Sequence, residues 1–350
     1  MRMTNRFCAV ARWLFLTVSG LAVFVAAGCA HVSRDTARDP PRTAISPTPA
    51  QILAASAVGM SIEALTSLID KPLYRMKPDE VGRYLAYLRR AEPDFRARVV
   101  HLGRKNIGQP YELYLLGEFP YETVDDQPLF SLEKSDCVVF AEHTYAMAMA
   151  ESWEDFFWLL QRIRYRDGVI GVVTRNHYTE TDWNPQNAWL FTEISAALAG
   201  ERAATYPLTV DRSRFLRNRY KLDRAIAVQT STEAYVPNAI VAELLPQLQQ
   251  GDMVNIISGK AGGYWVSHVG MVVIGPDGAR NLLHSSEPAV REESFESFMQ
   301  RARDREAHNS AAGIDGQVLA GFKFLRLNDN PIVPPMAPQP RPMAVNLERK

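Results

Sequence analysis

Cys137 stands in the run Ser135-Asp136-Cys137-Val138-Val139-Phe140-Ala141-Glu142, where two good N-cap residues precede an apolar stretch that reads as a helix. A thiol in the first turn of a helix feels the positive end of the macrodipole, which favours the thiolate, and a nearby histidine can hold the pair ionised. Two histidines follow in consecutive strand-like runs: His268 in Trp265-Val266-Ser267-His268-Val269-Gly270-Met271-Val272-Val273, and His284 in Leu282-Leu283-His284-Ser285-Ser286. A thiol nucleophile, an imidazole base and a third polar group that fixes the tautomer are the ingredients of a cysteine hydrolase. Between the runs lies Gly275-Pro276-Asp277-Gly278, and each histidine is eight residues from Pro276. An antiparallel hairpin turning there brings the two together, although a slip of one residue would send one of them to the other face.

The remaining cysteines explain why Cys137 stands alone. Arg2, Arg6 and Arg12 precede an apolar run from Trp13 to Ala27 that ends in small residues before Gly28-Cys29. This reads as a signal peptide over residues 1–28, so Cys8 is lost with it. Ala26-Ala27-Gly28-Cys29 resembles the lipobox of bacterial lipoproteins, which implies acylation of Cys29 and a membrane anchor there. Ala30 is not the aspartate that commonly retains lipoproteins at the inner membrane, so the expected location is the outer membrane facing the periplasm, with a soluble periplasmic protein as the alternative. Of three cysteines, Cys137 then has no disulfide partner, and an unpaired thiol in an oxidising compartment is either a small buried hydrophobe or a reactive group.

Composition excludes more than it identifies. The 350 residues hold 39 basic and 39 acidic side chains, with no basic stripe, so nucleic acid is not an expected partner. The seven histidines never fall in a His-Glu-x-x-His spacing, and no metal or organic cofactor is expected. Residues 29–50 are rich in Pro, Ser, Thr and Arg and read as a lipidated tether, and the Pro-rich segment 328–350 reads as a disordered tail. The catalytic domain is expected over 51–327 as a monomer. Lys77 to Arg90, Pro93 to Lys105, Cys137 to Ala150 and Glu154 to Arg164 carry helical periodicity. From Met253 onward, strand-like runs dominate up to Phe322-Lys323-Phe324-Leu325-Arg326-Leu327. Helices first and a meandering antiparallel sheet second imply an α+β fold, with Cys137 at a helix N-terminus packed on the sheet.

In order along the chain, Gly108-Gln109-Pro110-Tyr111, Asp136-Cys137, Gly251-Asp252, Ser267-His268-Val269-Gly270 and Leu283-His284-Ser285-Ser286 resemble the motifs of the NlpC-type, papain-like bacterial cell-wall cysteine hydrolases. Arg175-Asn176-His177-Tyr178, Asp182-Trp183 and Tyr235-Val236-Pro237 are similar to its N-acetylmuramoyl-L-alanine amidase-like branch. Val138-Val139 after the cysteine, where endopeptidase members carry Ser-Gly, also favours that branch. The resemblance implies Cys137 as nucleophile, His268 as base and His284 as the third member, with Tyr111 bordering the site. It implies cleavage of the N-acetylmuramoyl-L-alanine amide bond in peptidoglycan or muropeptides. A γ-D-glutamyl-diaminopimelate endopeptidase and a non-catalytic cell-wall-binding lipoprotein are the alternatives. His177, Tyr178 and Trp183 are expected as a sugar-stacking wall, and Ser267 as a further substrate contact.

Overall fold

The computed structural model describes residues 46–260 and 263–343. The signal segment, Cys29 and most of the tether fall outside them. Helix α1 (Pro49–Ser56) starts on a capping box from Thr48, and α2 (Ile62–Asp70) on the Ser61 hydroxyl. Helix α3 (Pro78–Ala91) buries Val81, Tyr84, Leu85 and Leu88, the helically spaced face expected from the sequence. Helix α4 (Phe95–Lys105) is capped by Asp94. Helix α5 (Cys137–Met149) is buried almost all round and α6 (Trp153–Arg164) is capped by Ser152.

The second half is an antiparallel sheet. Its strands are β1 (Phe191–Glu193), β2 (Ala204–Val210), β3 (Gln229–Pro237), β4 (Met253–Lys260), β5 (Gly263–Ile274), β6 (Arg280–Ser286), β7 (Ala289–Ser294) and β8 (Val318–Leu327), and they run in the order β2-β3-β8-β4-β5-β6-β7, with β1 pairing on β8. The expected mixed helix-plus-antiparallel-sheet class is therefore observed. The simple meander is not, because β8 returns to lie between β3 and β4. Helices α7 (Arg212–Tyr220), α8 (Asn238–Leu244) and α9 (Phe295–Ala311) fall between strands.

Two cores sandwich the sheet. On one face Val269, Met271, Val273 and Leu283 join Phe140, Ala141 and Tyr145 of α5. On the other, Val272, Leu282, Ile256 and Phe322 join Phe295 and Met299 of α9. The period of two along each strand assigns alternate residues to the two cores. One bulge breaks it. Ile256 pairs with His268 but Ile257 pairs with Val266, leaving Ser267 as the extra residue. Val266 consequently packs on the α5 face, whereas His268 faces Phe298 on the α9 side although it stands only two residues further on.

The Pro-rich segment after Leu327 departs from the expectation of a free tail. Up to Met343 it lies along the domain: Ala337 donates its N–H to Asp167 O, Gln339 bonds both Gly168 O and Ile170 N–H, and Met343 N–H reaches Pro120 O. Proline lacks a donor for sheet pairing but suits an extended strap held by the residues between the prolines.

Candidate active site

Asp136 caps α5 by accepting the Val139 N–H at 2.8 Å. The Val138 N–H also turns to the Asp136 carboxylate, and the Cys137 N–H is left as an orphan donor of the first turn. Both lie towards the Cys137 sulfur, as does the N–H of Val269 on β5. Val269 is free to do this because β5 and β6 part company: their pairing ends at Met271↔Leu283, while β6 runs on to Ser286 against β7. The loop before α5 is fastened into the resulting seam. Ser285 donates its hydroxyl to Ser135 O at 3.0 Å and Ser135 donates to Gln109 Oε1 at 2.8 Å. Gln109 is itself set by the Gly108-Gln109-Pro110-Tyr111 segment, which hydrogen-bonds Val290 on both sides and bridges Pro110 to Ala289. Gly108 takes φ 88°, a conformation that favours glycine.

The hairpin settles the register that the turn signal left open. Met271 faces Leu283, so the pairing is centred on Asp277 rather than Pro276. A shift of the centre by one moves the register by two residues, which preserves the faces. His268 and His284 are diagonal neighbours, with His268 Nε2 at 2.7 Å from His284 Nδ1. Gly270 lies beside them, and a Cβ there would come within 3.0 Å of both His284 Cβ and Leu283 O, which is the local reason for glycine.

A residue not singled out from sequence completes the chain. His284 Nε2 lies 2.7 Å from Glu293 Oε1 on β7, and Arg291 and Arg301 pair with the same carboxylate. Burial opposes ionisation of Glu293, but the hydrogen bonds from His284 and Arg301 hold its carboxyl well below the usual range. An ionised carboxylate accepts only, so His284 must donate through Nε2–H and accept at Nδ1, and His268 must donate through Nε2–H. The remaining nitrogen of His268, Nδ1, therefore carries a lone pair. Glu293 sits in Val290-Arg291-Glu292-Glu293-Ser294, a charged run that reads as a solvated strand. Only the β6–β7 pairing, Leu282↔Glu293 and His284↔Arg291, reveals its place.

The electrostatics differ from the ion pair anticipated for a helix-start thiol. Burial, assisted by the Asp136 charge, pushes the Cys137 thiol up to about 12 against the three backbone N–H groups. Burial likewise lowers His268 to about 3, with His284 and Arg291 adding to the effect. The pair is neutral at pH 7. No hydrogen bond joins Cys137 to His268 among the described residues. The two imidazoles meet directly, and the thiol meets the backbone of the residue after His268.

The other expected site residues divide. Tyr111 stands by the nucleophile loop, its N–H donating to Pro288 O, and burial with the nearby Cys137 and Asp136 lifts its phenol to about 12. Ser267, at the bulge, lines a cavity with His268. The expected sugar-stacking wall of His177, Tyr178 and Trp183 is not assembled. Trp183 is 3% exposed and donates its indole N–H to buried Glu142, which also pairs with Arg164. His177 bonds Val172 O at 2.7 Å and packs on Phe215 and Tyr220. Tyr178 borders a separate open depression with Phe215 and Arg214. A run of aromatic and polar residues looks the same from sequence whether it serves a core or a pocket. A cavity of about 210 Å³ does open at the start of α5, lined by Tyr114, Tyr220, Arg219, Asp136 and Val138. The Gly251-Asp252 motif is structural: buried Asp252 gathers Arg96, Arg326 and the Leu327 N–H. No cluster of acidic, cysteine and histidine side chains able to hold a metal ion occurs among the described residues.

An α+β domain that holds a helix-start thiol against the N–H of Val269, with an imidazole–imidazole–carboxylate chain starting at the preceding residue, His268, has the groups that acyl-transfer chemistry needs. The profile of the AmiA-like, N-acetylmuramoyl-L-alanine amidase-like family matches residues 101–306, and the chain belongs to that family. No curated protein matches it. Among solved structures it is similar in fold to a Legionella pneumophila protein of the DUF1460 family, with TM-score 0.61, 19% identity and coverage of 72% of this chain and 95% of that one. It is also similar to an N-acetylmuramoyl-L-alanine amidase from Bacteroides uniformis, with TM-score 0.52, 21% identity and coverage of 67% and 99%.

Proposed function

We propose that the protein is a cysteine amidase that hydrolyses the bond between the muramyl lactyl group and L-alanine in peptidoglycan or its fragments, within the papain-like arrangement of the NlpC-type hydrolases. The observation that carries this reading is the polarised chain His268–His284–Glu293 ending at the seam that holds Cys137. In the reaction, His268 Nδ1 takes the thiol proton as sulfur bonds to the lactyl carbonyl carbon. Because the resting pair is neutral, this transfer accompanies attack instead of preceding it. The oxyanion is met by the N–H groups of Cys137 and Val138. The imidazolium, stabilised through His284 by Glu293, then protonates the alanine nitrogen as the C–N bond breaks. Water, deprotonated by the same imidazole, hydrolyses the thioester. Tyr111 borders the nucleophile, and the cavity at the start of α5 lies on the acyl side. With Cys29 acylated, the segment before α1 would tether the domain to the outer membrane, within reach of its polymer.

Mass spectrometry of products from a defined muramyl peptide tests the reading. Wild type should release a muramic acid species and a peptide beginning with L-alanine, and Cys137→Ala should reduce the rate by at least about 10⁴-fold with an unchanged circular dichroism spectrum. A fragment beginning with diaminopimelate would make the enzyme an endopeptidase. Full activity in Cys137→Ala would remove the thiol mechanism.

A further inference from the structure

A cavity of about 450 Å³ lies between β4, β5, β8 and α9, and His268 and Ser267 form part of its wall. Its charge is one-sided. Arg291, Arg301 and Arg305 reach it, and no acidic side chain lines it. Glu293 answers Arg291 and Arg301 from outside the lining, but the same carboxylate also holds His284. Arg305, exposed on α9, has no ion-pair or hydrogen-bond partner among the described residues, whereas in the cavity at the start of α5 Arg164 and Arg175 are each paired with buried acids and Arg219 lies over the Tyr114 ring. The hydroxyl of Ser286 in the same wall is buried without a hydrogen-bond partner. A guanidinium fork and an unused hydroxyl suit a planar anion with two acceptor oxygens.

The chemistry gives this cavity a side. Whatever nitrogen leaves must receive its proton from His268, so the leaving group lies against the His268 half of the site, while the acyl group stays with Cys137. In the amidase reading, on which this inference rests, the leaving group is a peptide beginning with L-alanine, and its second residue bears the first free carboxylate. We propose that the cavity binds that carboxylate, with Arg305 as its principal partner, and so sets a preference for the acidic over the amidated stem peptide.

The test compares two substrates on the full-length protein: muramyl-L-alanyl-D-isoglutamate and its D-isoglutamine counterpart, both with the γ-carboxyl blocked as an amide, as the third stem residue blocks it, and identical except that a carboxamide replaces the α-carboxylate. Wild type should favour the carboxylate by about tenfold or more in kcat/KM, the loss expected for a charged hydrogen bond. Arg305→Gln should abolish that preference by raising KM for the carboxylate substrate more than for the amidated one. An undiminished preference in Arg305→Gln, or none in wild type, would overturn the assignment. Should wild type cleave neither substrate, the amidase reading fails by itself, and calorimetry with the free dipeptides L-alanyl-D-isoglutamate and L-alanyl-D-isoglutamine, blocked at the γ-carboxyl in the same way, decides the cavity. Carboxylate-selective binding that Arg305→Gln removes would uphold the site, and equal binding of the two dipeptides would refute it.

Discussion

The two halves of the candidate site are built from different materials. Around Cys137 the contacts are main-chain: the N–H groups of Cys137, Val138 and Val269, a helix cap from Asp136, and a loop fastened through Ser135 and Ser285. Around His268 they are side chains in series, each dependent on the next, ending on a carboxylate shared with two arginines. Backbone donors survive most substitutions because any residue but proline supplies them. A side-chain relay transmits the hydrogen-bonding sense of its last member to its first. The difference is that the thiol half should be robust to mutation around it and the imidazole half should be sensitive at a distance.

The strongest test of that contrast is Glu293→Gln. An amide can donate to His284 Nε2, which would reverse both tautomers and place a proton on His268 Nδ1, the atom proposed as base. Activity on a muramyl peptide should fall by about 10⁴-fold, the loss seen when a catalytic imidazole is held in the wrong tautomer. A loss of only a few-fold would mean that the relay does not set the tautomer. His284→Asn should cost less, about 10- to 100-fold, because the amide oxygen can still accept from His268 Nε2–H. If His284→Asn proved the worse of the two, the polarity assigned to the chain would be reversed.

The thiol half is tested by its reactivity. With burial and Asp136 holding the thiol near 12 and no imidazolium beside it, iodoacetamide should react at pH 7 more slowly than with free cysteine. Asp136→Asn keeps a capping oxygen and removes the charge, so alkylation should quicken by about several-fold with little change in stability. A fast wild-type reaction that persists below pH 6 would indicate the ion pair.

The smallest effect concerns pH and stability. His143, under the nucleophile on α5, accepts the Ser131 N–H and bonds Val139 O, and burial lowers it to about 3. Its folded value lies below the unfolded value of about 6.5, so the unfolded chain binds the extra proton as pH falls. The stability it contributes is full above pH 6.5 and is lost progressively towards pH 3. Melting temperatures should fall less steeply from pH 6.5 to 5 in His143→Gln than in wild type. That comparison cancels the opposing influence of Glu142 and Asp136, whose carboxyls burial raises. Parallel slopes would place the proton elsewhere.

Sequence made the local signals legible and missed those that depend on pairing. Helix starts at Pro78 and Cys137 follow from caps and periodicity, and His268 and His284 follow from a turn between two apolar runs. Glu293 was not legible, since its role arises only when β7 lies beside β6. The same holds for β8, whose place between β3 and β4 is a long-range choice. Trp183 and His177 carried the right types for a sugar site, yet their burial and bonds to Glu142 and Val172 are tertiary facts. The free energy of a buried thiol beside a carboxylate is of the same kind: helix position suggests a thiolate, and desolvation overrides it.

The extra residue at Ser267 implies an asymmetry between two sites of deletion. Because Val266 and His268 pair with the consecutive residues Ile257 and Ile256, deleting Ser267 would leave both on the faces they now occupy, whereas removing one residue between His268 and Met271 would turn His268 towards the α5 core and leave the relay without its first member. Across descendants of such a chain, the count of residues between His268 and Met271 should therefore vary less than the count between Trp265 and His268.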